Sequence, residues 1–163
     1  MTEKKYEQLL SSDSKNAIIE KQDKNAGFVI EFYEKTDGTS EIWSFLEELR
    51  LNSLTNKNTR IQYNQISLYI ELLQRRGTRL PANIVKHLQN DIWELRPGNN
   101  GILFFYYGNS RFVLLHCFRK KTRKTPKREI LKAEAEMNDY IRRQRRLENE
   151  NVERLQEPYQ RQQ

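Results

Sequence analysis

The chain is short of several things, and each shortage narrows what it can be. Its 163 residues include one cysteine, Cys117, so neither an internal disulfide nor a cysteine metal cluster is available. That usage is compatible with a reducing compartment. There are two histidines, His87 and His116, without carboxylates or cysteines at a recognisable metal-ligand spacing. With 6 Gly and 4 Pro, there is no Gly-rich phosphate loop and no nucleophile elbow. No run approaches the ~20 apolar residues that span a bilayer. The N-terminal stretch MTEKKYEQLLSSDSKN has no apolar core of a signal peptide. The expectation is a soluble cytoplasmic protein with no cofactor, no metal and no membrane partner.

What is present is charge, unevenly placed. Charged residues make up 31% of the chain against 36% hydrophobic, and the net charge is +7. From Arg119 onward there are 14 Lys/Arg and 8 Asp/Glu, leaving 15 and 14 for residues 1–118. A positive balance of +6 in one region against +1 in the other points to a polyanion partner, RNA or DNA first.

Residues 1–26 are polar, with 5 Lys and 5 Asp/Glu, and read as a flexible extension. Phe28–Tyr33 is the first strand, with Phe28, Ile30 and Phe32 on one face. Ser40 caps a helix carrying Ile42, Phe45, Leu46 and Leu49 on one side. A second helix is expected from about Thr59 to Arg76, with Ile61, Ile66, Tyr69, Ile70 and Leu73 as its stripe and Gly77 as its stop. An irregular stretch follows through Leu88. Ile92–Arg96, Ile102–Tyr107 and Arg111–Phe118 are then three strands, joined by Pro97-Gly98-Asn99-Asn100 and by Gly108-Asn109-Ser110. Seven basic residues occupy the ten positions from Arg119 to Arg128. Thr125 as cap and Pro126 as first residue open a third helix, with Ile130, Ala133, Met137, Tyr140, Ile141 and Leu147 on its buried side. Residues 148–163 read as a polar tail, frayed or disordered. The segregated order of strands and helices indicates an α+β domain over residues 27–147: a small twisted, mainly antiparallel sheet with two N-terminal helices on one face and a C-terminal helix.

The pattern ELRP, ILFFYY, then RFVLLH-x-F-x-KKT-x-KTP-x-REI, with VKHL before it, resembles the RelE/HigB-type toxins of toxin–antitoxin systems, in particular the phage-derived branch of the RelE/ParE superfamily. The resemblance runs from about Phe28 to about Arg143. It implies a sheet with helices on one side and a charged concave face on the other. It also implies a metal-independent mRNA endonuclease acting on ribosome-bound message, a helix-turn-helix antitoxin as partner, and oligomers formed through that antitoxin.

Cleaving RNA without a metal takes a group to deprotonate the ribose 2′-hydroxyl, cations for the phosphate, an acid for the leaving oxygen, and contacts that hold the strand. The resemblance nominates Arg96, His116, Lys120 and Lys121 as catalytic. Arg119, Arg123, Lys124, Lys127, Arg128 and Tyr107 are nominated to bind RNA. Read from the residues alone, Arg96 is an ordinary surface arginine. His116, on the face of Phe112, Leu114 and Phe118, is a hydrogen-bonded core histidine, and Tyr107 shares its role with core packing. Related toxins carry an arginine where this chain has Gly101; Arg119, Lys120 or Lys121 would replace it, or the protein is inactive. Two rivals remain: a ParE-like inhibitor of gyrase, and a nucleic-acid-binding protein of a mobile element that cuts nothing.

Overall fold

Two apolar runs, ILFFYY and RFVLLHCF, build the centre. A computed structural model describes residues 27–160, with side chains to residue 156; the expected extension at residues 1–26 lies outside them. Those runs form β4 (Asn100–Tyr107) and β5 (Arg111–Arg119), the two middle strands of a five-stranded sheet. Sequences apolar on both sides of the pleat must be covered on both sides. The sheet order is β1-β5-β4-β3-β2, where β1 is Val29–Phe32, β2 is Val85–Gln89 and β3 is Ile92–Leu95. Only β1 is parallel to its neighbour, β5; the other pairs are antiparallel. The sequence reading lacked β2. Its residues Lys86, His87 and Gln89 are exposed, so this edge strand shows no apolar run.

Helices α1 (Glu41–Ser53) and α2 (Lys57–Arg76) cover one face. Ser40 accepts from the Trp43 amide at 3.2 Å, and Asn56 accepts from Thr59 at 3.0 Å. These contacts start each helix with a side-chain oxygen on a free amide. Ile42, Leu46, Leu49, Tyr63, Ile66 and Leu73 point inward to Ile30, Leu95, Ile102, Phe104, Phe112 and Leu114. Burying each large aliphatic contributes about 1.5–3 kcal/mol. Ile61, assigned to the buried stripe, is exposed; Tyr63 takes its place. Gly77 ends α2 at φ 60°, against the Phe28 ring, where a β-carbon would come within 2.8 Å.

The opposite face does not stay open. Helix α3 (Lys127–Gln160, 34 residues) crosses it, packing Ala133, Met137 and Tyr140 on Tyr33, Ile92, Leu103, Phe105, Val113 and Leu115. The expected fold, with α1 and α2 on one face and a C-terminal helix, is the one observed; α3 covers the face that the resemblance implied would be a charged concave surface. Polar ties fix α3 at both sheet edges: Gln89 and Asn90 donate to Glu134, while Tyr140 donates to Glu31 at 2.7 Å. The residues read as a tail continue α3 as one helix to Gln160. Leu147, expected on the buried side, is exposed because the helix has already passed the sheet edge.

Candidate functional site

The site lies under the start of α3, and a fault in β5 decides what faces it. Leu103 of β4 pairs with His116, yet the next residue, Phe104, pairs with Leu114. Leu115 is therefore an extra residue, a β-bulge, and a bulge reverses which face later residues occupy. Phe112 and Leu114 lie in the core under α1 and α2. Leu115 and His116 both turn to α3, and Cys117 returns to the α1–α2 side. The expected sharing of one face by Phe112, Leu114 and His116 is corrected on this ground. Burial pushes the Cys117 thiol up to about 12, which removes it as a nucleophile.

Glu94, Leu103 and His116 then form one row across three strands. At about 4.8 Å between strands, Glu94 and His116 are roughly 10 Å apart. Each is the centre of a buried cluster of polar, titratable side chains. Glu94 is fully buried, accepts from Lys120 Nζ at 2.6 Å and from the Thr125 hydroxyl at 2.5 Å, and forms an ion pair with Arg96 Nε at 3.1 Å. A buried carboxylate needs such partners to remain charged. Arg96 also donates to the carbonyls of Ala82 and Arg123 at 3.3 and 3.4 Å. The ELR glutamate thus gathers the first and last strands of the meander and the basic exit at one point. Sequence reasoning missed it because a carboxylate flanked by apolar residues looks the same whether its partners are protein or water.

His116 is only 1% exposed. Its Nδ1 meets Glu136 and its Nε2 meets Glu129 at 2.9 Å, both from α3. Sequence reasoning missed these glutamates too. They are seven apart, two turns of one helix face, and that spacing after an isolated strand histidine is the signal that could have found them.

The nominated residues divide accordingly. Arg96, Lys120 and His116 are brought beneath the start of α3, but as paired and largely buried groups. Lys120 is only 8% exposed along its side chain, because Glu94 draws it inward. Arg119, Lys121, Arg123, Lys124, Lys127 and Arg128 are exposed, and Arg128 faces Glu129 at 3.6 Å. Their backbone is pinned where Lys120 donates to the Asn99 carbonyl at 2.7 Å, where Arg96 holds Arg123, and where Thr125 meets Glu94. Thr125 does not cap α3, as it was expected to; its hydroxyl is engaged by Glu94, and the Pro126 carbonyl accepts the first helical bond from Glu129 at 3.0 Å. Tyr107 is not brought to this ledge. It packs against Phe105 and Tyr140 at the other end of the 8-residue β4, roughly 23 Å away at about 3.3 Å per residue.

Gly101 has a structural reason. A β-carbon there would fall 2.6 Å from the Phe118 ring and 3.1 Å from Glu94 Oε2. An arginine at this position has no room unless Phe118 turns away. The cation on Glu94 comes instead from Lys120. Among the described residues no three His, Cys, Asp or Glu side chains are grouped so as to hold a metal ion, and no helix is long and apolar enough to cross a membrane.

No curated protein matches the chain. The family model described as "Phage derived protein Gp49-like (DUF891)" matches residues 51–138, more than half of the chain. The matched segment carries Glu94, Arg96, His116, Lys120, Glu129 and Glu136. The chain belongs to the Gp49-like family of phage-derived, toxin-like proteins.

Proposed function

We propose that this protein is the toxin of a toxin–antitoxin pair of the RelE/HigB kind, a metal-independent endoribonuclease acting on ribosome-bound mRNA. The observation that carries the reading is the pinned basic ledge from Arg119 to Arg128, whose six exposed cations lie beside a row of buried acid–base groups. Fixed cations suit phosphate, which supplies most of the affinity in such complexes. Arg96 and Lys120 form the floor of the ledge and hold its charge in place through Glu94. Lys121, with Arg123 and Lys124, meets the scissile phosphate and stabilises charge on it. Arg119, Lys127 and Arg128 extend the track along the strand. His116 belongs to the proton-transfer part of the site. The reaction is attack by the 2′-hydroxyl, leaving a 2′,3′-cyclic phosphate and a free 5′-hydroxyl.

The test is direct. The purified chain, incubated with ribosome-bound and free mRNA in EDTA, is expected to produce those termini; cleavage that EDTA abolishes overturns the metal-free mechanism. A helix-turn-helix antitoxin with acidic side chains would neutralise the protein by covering the ledge or lifting the start of α3, and its binding should weaken with salt. A ternary complex with RNA would overturn that occlusion.

One observation favours a second reading. Arg96 and Lys120 are engaged in ion pairs and His116 is held between two carboxyl groups, as they would be in a protein that binds nucleic acid and cuts nothing. RNA bound with micromolar or better affinity and left intact, on and off the ribosome, would decide for it.

A further inference from the structure

His116 cannot reach a substrate while α3 is in place, since it is 1% exposed, yet it ends on a group that can. Glu129 lies in the first turn of α3 with 16% of its side chain exposed. One carboxylate oxygen, Oε2, is 2.9 Å from His116 Nε2. The other, Oε1, is turned toward Arg128 Nε at 3.6 Å, at the C-terminal end of the basic ledge. Behind His116, Nδ1 is engaged by Glu136, which is itself buried. Glu136, His116 and Glu129 thus form one line from the interior to the rim. An ionised Glu129 oxygen accepts from the ring nitrogen when that nitrogen carries the hydrogen. The imidazole fixes the orientation of Glu129, and Glu136 fixes the imidazole. This is the logic by which a reactive group is aimed by a second group that a third one holds. Thr125 on Glu94 and Glu129 N on the Pro126 carbonyl set where the first turn of α3 begins.

We propose that Glu129 is the catalytic base of this protein and His116 its positioning residue; the proposal rests on the endoribonuclease reading above. The Glu129 carboxylate takes the proton from the 2′-hydroxyl. The 2′-oxygen forms its bond to phosphorus as the bond from phosphorus to the 5′-oxygen breaks. The 5′-oxygen leaves with a proton from an exposed ammonium of the ledge, Lys121 or Lys124, and water returns both groups to their starting states. Nothing is oxidised or reduced. The charged and titratable groups in contact with Glu129 are His116 from β5 and Arg128 from α3, with Glu136 on the far side of the ring.

The experiment compares the full-length wild type with Glu129→Gln, Glu129→Ala, His116→Gln and His116→Leu. It measures kcat and KM on ribosome-bound and free RNA, with thermal melts of each variant. Removing a general base costs about 10²–10⁴-fold, so both Glu129 variants should lose at least ~100-fold in kcat with KM within about threefold of wild type. Added formate should restore Glu129→Ala by ~10-fold or more, since it supplies the missing carboxylate. His116→Gln, which can still donate to Glu129, should exceed His116→Leu in kcat, and formate should rescue neither. Glu129→Gln that melts like wild type and keeps its kcat overturns the proposal. So does a folded Glu129→Ala whose lost activity formate leaves unchanged, because Glu129 is then a structural tie. If Glu129→Ala fails to fold, the Glu129→Gln result decides. Wild-type protein that leaves every RNA intact in the same assay ends the nuclease reading itself and this proposal with it. Wild-type cleavage beside an unaffected Glu129→Gln ends the proposal alone.

Discussion

The two faces of the sheet are covered by helices in opposite ways. Under α1 and α2 the contacts are almost wholly apolar, from Ile30 and Ile42 through Ile66, Phe104 and Leu114. Under α3 an apolar strip of Leu103, Phe105, Leu115, Ala133 and Met137 is flanked by two buried polar clusters centred on Glu94 and His116. The first face can be assembled by any side chains of suitable size. The second is fixed only when each charge meets its partner, so it specifies one placement of α3 and of the basic ledge. Charge that is costly to bury is gathered on the face where the exposed cations emerge, and the family match covers it. One face is an apolar contact; the other sets its buried polar groups beside the exposed cations.

The strongest way to break that comparison is Glu94→Ala. It leaves Lys120 buried without its carboxylate and releases Arg96 and Thr125. Breaking a buried pair from one side costs about 3–5 kcal/mol, so urea denaturation should show a loss of that size together with weaker RNA binding. A loss under ~1 kcal/mol would mean that the cluster is hydrated in solution. On the other face, Ile66→Ala should cost about 2–5 kcal/mol yet leave the RNA affinity of the folded protein as it was. A change in affinity beyond threefold in folded Ile66→Ala would show that the faces are coupled.

Two adjacent lysines sharpen the comparison on a smaller scale. Lys120 is held on Glu94 and Lys121 is exposed. Lys120→Ala should cost about 1–3 kcal/mol, the penalty of removing a charged partner from a buried acceptor. Lys121→Ala should change stability by less than ~0.5 kcal/mol and instead flatten the salt dependence of RNA binding by about one ion. Equal melting temperatures for the two variants would contradict the burial difference.

Much of the first face was legible in the sequence, because helical spacing and the Ser40 cap describe contacts that are local. The central strands were legible for the same reason: their runs are long, apolar and closed by turn residues. The second face was not. One extra residue at Leu115 reversed the side on which His116 falls, and no local pattern announces a bulge inside LLHCF. Glu94, Glu129 and Glu136 gain their meaning from partners 26, 13 and 20 residues away in the chain, which composition and spacing do not report. The family resemblance picked out Arg96, His116 and Lys120, which the fold brings beneath the start of α3, without revealing that carboxylates hold them. Beta-strand β2 was invisible because an edge strand with exposed polar side chains has no pattern to show.

The smallest effect is expected where the two faces are joined. Glu41, in the first turn of α1, accepts from Lys132 of α3 at 2.6 Å and from Lys35 at 2.9 Å. The hydrogen bond from Lys132 is the larger cause, and that from Lys35 the second, of a carboxyl lowered from its ordinary 4.5 to about 2. A folded-state value below the unfolded one means stability that is present above about 4.5 and is lost as the pH falls through about 2. The side chain is 43% exposed, so water and salt screen the pair, and its contribution is about 0.5 kcal/mol rather than the full linkage value. Glu41→Gln should therefore be less stable than wild type by about that amount at neutral pH. The two proteins should converge as the pH falls toward 2, and 1 M salt should shrink the difference at neutral pH. Urea titrations at several pH values measure it. Parallel curves that never converge would show that Glu41 stays unpaired in solution, and that the join between α1 and α3 rests on packing alone.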